Sequence, residues 1–217
     1  MSLSEIAMHT TKHSPTGQSY GEFLRAYRFF NQRLFLNRLP HCLITLHRHR
    51  TAYGYFWGKR YKNKDDVVTD EIAMNPDFLR DRPDRVSLST LVHEMVHLWQ
   101  HHFGKASRSG YHNREWAEKM EQVGLMPSTT AAPGGARTGQ NCSHYIIDGG
   151  PFDKACAALL AGGFHISWGS APIAKISKGR SGKRTKYECP TCDTCAWGKD
   201  GLHIRCNDCD ELMEEVL

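Results

Sequence analysis

His93-Glu94-Met95-Val96-His97 is an HExxH pattern. Histidines four apart on a helix share one face, so both imidazoles can reach a single zinc at roughly 2.0–2.1 Å. The glutamate between them is close enough to act as base toward a water activated there. A catalytic zinc keeps one position open and takes three protein ligands. His112, 15 residues after His97 across the turn Gly104 to Gly110, is the better candidate for the third. Glu115 or Glu118 could supply a carboxylate instead, and His101 continues the same helical face one turn further on.

A second ligand set lies near the C-terminal end. Cys189-x2-Cys192 and Cys206-x2-Cys209 are two knuckles separated by 13 residues, and four thiolates around zinc form a closed structural site. Cys195 offers Cys192-x2-Cys195 as an alternative first knuckle, but the Pro190-Thr191 turn after Tyr187 favours the first. So small a module buries too little core to fold alone, and the metal must hold it.

Charge is distributed unevenly around these cysteines. Residues 175–186 carry six basic and no acidic side chains, whereas residues 187–217 carry eight acidic and two basic. Lys175, Lys178, Arg180, Lys183, Arg184 and Lys186, interleaved with Gly and Ser, can track phosphates without reading sequence or can simply form a solvated linker. Tyr187 and Trp197 are placed to stack on unpaired bases. The acidity of the module argues against a broad cationic face on it.

These residues need elements to position them. Phe23, Tyr27, Phe30 and Leu34 recur at helical spacing from Tyr20 to Leu36, and Pro40 ends that segment. The alternations Cys42 to Leu46 and Tyr53 to Trp57, joined by the basic turn His49 to Thr51, predict a hairpin. A third strand runs to Asn75 and stops at Pro76. Leu88, Leu91, Val92, Met95, Val96 and Trp99 mark a helix that carries the HExxH residues and ends at Gly104. A further helix spans about Asn113 to Val123, and Pro127 to Gln140 has loop composition. Strands at Ser143 to Ile147 and Phe164 to Trp168 are expected to flank a helix from Phe152 to Ala161.

Ser89-Thr90-Leu91-Val92-His93-Glu94-Met95-Val96-His97, then Gly110-Tyr111-His112-Asn113-Arg114-Glu115-Trp116, then the cysteine knuckles, resemble the SprT-like zinc metallopeptidases, whose eukaryotic relative Spartan degrades proteins crosslinked to DNA. The resemblance covers most of residues 20–212 and takes in Leu39-Pro40 and Glu71-Ile72-Ala73-Met74-Asn75-Pro76. It implies an α+β, zincin-like SprT domain, with helices, a small mixed sheet and HExxH on the active-site helix, followed by a zinc ribbon. It also implies a third histidine ligand in a Gly-His-Gly-like turn before an aromatic residue, the places of His112 and Trp116. Here Tyr111 is inserted and Asn113 replaces a glycine.

At 217 residues and 40% hydrophobic, the chain can hold one ordinary domain and a small appendage. The expected organisation is a flexible leader at 1–18, a metallopeptidase core at 19–126, a loop plus β-α-β extension at 127–174, a basic linker at 175–186 and the zinc ribbon at 187–217. The longest nearly apolar stretch, Ala155 to Phe164, is about half a membrane span, and residues 1–20 lack the apolar core of a secretory signal. A cytoplasmic protein is expected, nucleoid-associated if it binds DNA. Its expected activity is zinc-dependent hydrolysis of peptide bonds in protein substrates, with one catalytic and one structural zinc, DNA (single-stranded or crosslinked) as partner, a role in DNA repair and no membrane. The alternative is a nucleic-acid-binding adaptor whose HExxH zinc is not catalytic. Glu94 argues for the enzyme, because a purely structural site has no use for a glutamate beside its ligands.

Overall fold

The computed structural model describes residues 14–171 and 184–216, and the chain divides into two units, Met1–Pro172 and Ile173–Leu217. The first is built from α-helices and small sheets, and the second, among the described residues, from three short strands. No helix among the described residues is long and apolar enough to cross a membrane.

Among the described residues, the first element of the first unit is α1 (Pro15–Phe35), which begins inside the segment expected to be a leader. Ser14 caps it by accepting from the Gly17 amide at 3.0 Å, with Pro15 pre-set for the first turn. Phe23, Ala26, Tyr27 and Phe30 form its buried face. The next three strands are β1 (Leu43–Leu46), β2 (Gly54–Lys62) and β3 (Val68–Met74).

The expected β1–β2 hairpin does not form. The order is β1-β3-β2, with β1 parallel and β2 antiparallel to β3. Asp70 to Asn75 are buried, and a strand covered on both faces belongs in the middle of the sheet. Asn75, just past β3, then holds the loop joining β1 to β2, its side-chain amide donating to the carbonyls of His49 (2.7 Å) and Ala52 (2.8 Å). Along β2, the register shifts between Trp57 and Tyr61, and Lys59 takes φ 54°. Its amide, lost to the ladder, donates to Asp70 Oδ1 at 2.7 Å.

Helix α2 (Asp84–Phe103) is the centre of this unit, with Leu88, Leu91, Val92, Met95, Val96 and Leu98 fully buried. It contacts α1, β2, β3, α3 (Arg114–Val123) and α4 (Pro151–Ala161). Its apolar residues surround the helix instead of forming one stripe, as a core helix requires. Between α3 and α4, β4 (Leu125–Ser128) and β5 (Ser143–Ile146) pair antiparallel. Phe152 of α4 stacks on Phe30 of α1 with centroids 5.5 Å apart. The strand expected at Phe164 to Trp168 is absent. Instead the Ile166 amide donates to Asp84 of α2 (3.2 Å) and the Ser167 amide to Glu22 of α1 (2.9 Å), so helix carboxylates take up donors a sheet would have used.

The second unit holds β6 (Thr185–Glu188), β7 (Cys195–Gly198) and β8 (Glu214–Val216), a three-stranded antiparallel sheet in the order β7-β6-β8. Its small core is Tyr187, Cys189, Cys206 and Met213.

Candidate metal centres

His93 and His97 lie one turn apart on α2 with ring centroids 5.1 Å apart. His112, just before α3, reaches them so that His97 Nε2 and His112 Nε2 are 3.2 Å apart. One ring nitrogen from each of the three falls within 4.8 Å of the others. Trp116 is fully buried beneath them, with centroids 4.9, 5.1 and 4.4 Å from His93, His97 and His112. Burial holds all three histidines below their ordinary range. His93 is furthest down, with the other histidines adding to the effect; His97 is at about 3; and for His112 a hydrogen bond to Gly139 opposes the shift. All three are therefore neutral at pH 7, the form that ligates metal. A tetrahedral zinc with bonds of about 2.0–2.1 Å spaces its nitrogens about 3.3 Å apart, and the 3.2 Å pair fits that spacing.

His112 is delivered by a polar clasp. Gln100 on α2 donates to Asn113 Oδ1 and to Glu115 Oε2, both at 2.8 Å. Asn113 Oδ1 also caps α3 by accepting from the Trp116 amide at 3.0 Å, while its Nδ2 donates to the Lys105 carbonyl. Glu115 accepts the Lys105 amide at 2.7 Å, and Glu118 pairs with Arg114. Neither glutamate joins the three imidazoles. His101 lies apart as well, in a group with His102 and Asp70, where His102 Nε2 is 2.7 Å from Asp70 Oδ2.

Glu94 is 5% exposed, and burial pushes its carboxyl up to about 8. Gly54 allows β2 to approach it closely. A Cβ at that position would lie 2.9 Å from the Ala73 carbonyl oxygen, 3.1 Å from Thr90 Cγ2 and 3.4 Å from Glu94 Cγ.

Two further residues touch this constellation without any signal in sequence spacing. Gly139, at φ 146°, forms an isolated bridge with His112, and its carbonyl is 3.1 Å from His112 Nδ1. His144 on β5 has Nδ1 3.0 Å from His93 Nδ1 and Nε2 2.9 Å from Ser89 Oγ. Burial, with Arg82 nearby, pushes His144 down to about 4. Each contact joins residues 27 to 55 positions apart, beyond the reach of any local pattern.

In the second unit, Cys189, Cys192, Cys206 and Cys209 bring their sulfurs within 4.8 Å of one another, and Cys192 Sγ is 3.7 Å from Cys206 Sγ. Zinc–sulfur bonds of about 2.3 Å imply sulfurs about 3.8 Å apart in a tetrahedron, so this set also fits. Cys195 is outside it, at the start of β7 with its thiol 3.3 Å from the Asp193 carbonyl.

The expected nucleic-acid residues fare unequally. Lys175, Lys178, Arg180 and Lys183 lie outside the described residues. Lys186 is paired with Glu188, and Trp197 is 61% exposed. Tyr187 is a correction. It is 0% exposed, with its hydroxyl donating to the Lys199 carbonyl at 2.6 Å and accepting from the Leu202 amide at 2.9 Å. It is the core of its module and has no face to offer a base.

The family profile described as the SprT-like family matches residues 23–134. The chain belongs to the SprT-like family. An uncharacterized protein in the mucB 3′ region of Salmonella typhimurium is 51% identical over 59 residues, 27% of this chain and 80% of that protein. No solved structure matches.

Proposed function

We propose that the first unit is a zincin-like, zinc-dependent endopeptidase acting on protein substrates, and that the second is a zinc ribbon. The observation that carries the reading is a buried carboxylate, Glu94, on the same helical turn as two of three converging neutral imidazoles. Held by His93, His97 and His112, zinc would supply a Lewis acid that polarises the scissile carbonyl and acidifies water. Glu94 takes the proton from the attacking water and hands it to the leaving amine. With its carboxyl held near 8 by burial, Glu94 needs positive charge at the histidine cluster to stay ionised, so its competence as a base depends on metal occupancy. Cys189, Cys192, Cys206 and Cys209 would hold the structural zinc, because four thiolates leave no open position.

The resemblance to the SprT-like relative Spartan supports proteolysis of DNA-crosslinked proteins, and so a part in DNA repair, as the role to test first. Arg184 and Lys186, with the basic residues before them, can neutralise phosphates, and exposed Trp197 can stack on a base. The test is hydrolysis of an unfolded protein by the full chain, with and without single-stranded DNA, beside Glu94→Gln. Loss of about 10²–10⁴ in rate with zinc content intact is expected. A Glu94→Gln protein that keeps most of the wild-type rate would overturn the chemistry. For DNA, Trp197→Ala should weaken binding with an unchanged salt slope, whereas Lys183, Arg184 and Lys186 all changed to Ser should flatten the slope by about 2 units. Salt-independent binding would remove the strip from the interface.

A further inference from the structure

Two of the three imidazoles are held from beyond the stretch that the family profile matches, His112 by Gly139 and His93 by His144. The His144 contact also decides where protons lie. Ser89 commits its only hydroxyl proton to the Val86 carbonyl at 2.8 Å. With that proton on Val86 the Ser89 oxygen accepts from His144, which carries its proton on Nε2, 2.9 Å away; the reverse order would put a proton on His93 Nε2 and block ligation there. Nδ1 of a neutral His144 is then a bare acceptor. The 3.0 Å contact must be made by His93 Nδ1–H, which leaves Nε2 as the lone-pair nitrogen of His93.

We propose that His144 is a positioning residue of the metal centre, and that Val86, Ser89, His144 and His93 form a proton-ordered chain fixing the tautomer and ring plane of His93 for ligation. Gly139 does the same for His112, since its carbonyl can only accept and so draws the proton to Nδ1. The segment carrying β5 is thereby part of the centre and not an appendage to it. Outer partners of ligating histidines are commonly carboxylates or carbonyls; here one of them is a second imidazole whose acceptor end is set by a serine. The inference rests on the reading of His93, His97 and His112 as a metal site.

The test is competitive titration of the full-length, metal-stripped protein with Co(II) against a chelator. The histidine site is read from its d–d bands and the cysteine site from thiolate charge-transfer bands. His144→Leu should weaken the histidine site about 10–100-fold, with d–d bands of the same pattern at saturation and no change at the cysteine site. His144→Asn, whose Oδ1 replaces Nδ1 as acceptor, should recover most of the loss. Ser89→Ala, which frees the His144 proton, should weaken binding less than His144→Leu, and it carries the test if His144→Leu does not fold. Wild-type affinity in His144→Leu or in Ser89→Ala would overturn the proposal. So would an Asn variant no better than Leu at equal thermal stability, or d–d bands reporting a lost nitrogen ligand in His144→Leu. Absence of the histidine-site signal in the wild type is a separate outcome that overturns the metallopeptidase reading itself.

Discussion

Gln100 on α2 and Asn113 at the start of α3 share a hydrogen bond of 2.8 Å, and it joins the helix bearing His93 and His97 to the turn bearing His112. The same amide reaches Glu115, so one buried side chain registers α2 against both the cap and the first turn of α3.

Gln100→Leu should therefore act on metal affinity as well as on stability. Leaving Asn113 and Glu115 short of a donor costs about 1–3 kcal/mol, readable in urea unfolding. The third ligand should bind less well, giving faster zinc loss to a chelator than in Glu118→Ala, whose partner is only exposed Arg114. Equal rates of loss in the two variants would show that the clasp does not position His112.

Gly54→Ala tests the close approach of β2 to the HExxH helix. The added methyl meets the Ala73 oxygen of the neighbouring strand β3 at 2.9 Å, which cannot rotate away, and Thr90 Cγ2 of α2 at 3.1 Å, so β2 must shift against both at a cost of about 1–3 kcal/mol. Peptide hydrolysis should fall more than zinc content, because the α2 side chains nearest the added methyl are Thr90 and Glu94 and include none of the three histidines. A variant as active and as stable as wild type would contradict this.

Alkylation distinguishes the five C-terminal cysteines. With zinc bound, Cys189, Cys192, Cys206 and Cys209 should be protected and Cys195 labelled. After chelation Cys192 should react first, since it is exposed and the adjoining Thr194 holds its thiol below the ordinary range. Peptide mass mapping reads the order, and protection of Cys195 in the zinc form would move the knuckle.

Asp70 links stability to acid pH. Burial alone would raise its pKa, but hydrogen bonds from His102 and the Lys59 amide bring it below its ordinary 3.8. A carboxylate depressed on folding adds stability that is present above its unfolded pKa and lost as pH falls through the folded one. Asp70→Asn, which keeps an acceptor for Lys59, should thus melt with less dependence on pH between about pH 5 and pH 2 than wild type.

Local signals in the sequence carried much of this site. His93, Glu94 and His97 share a turn because four-residue spacing on a helix is decided within the helix, and Asn113 caps α3 through a bond only three residues long. What the sequence concealed is what spans distance. Strand pairing depends on which strand is buried on both faces, and so β3 entered between β1 and β2 where local alternation suggested a hairpin. His144 and Gly139 meet their partners 51 and 27 residues away. Tyr187 sits in a four-residue strand, too short for alternation to tell its inner from its outer face.

Because α2 is buried against helices and sheet on nearly every side, its amides from Leu91 to Leu98 should exchange with solvent deuterium only when the whole first unit opens. Loosening His93 or His97 would then cost as much as unfolding. Under the proposed peptidase function, a centre so placed would not adapt to its substrate, and a protein chain would have to bring its scissile bond to a rigid site. Any tolerance for varied substrates would then have to come from disorder in the substrate itself.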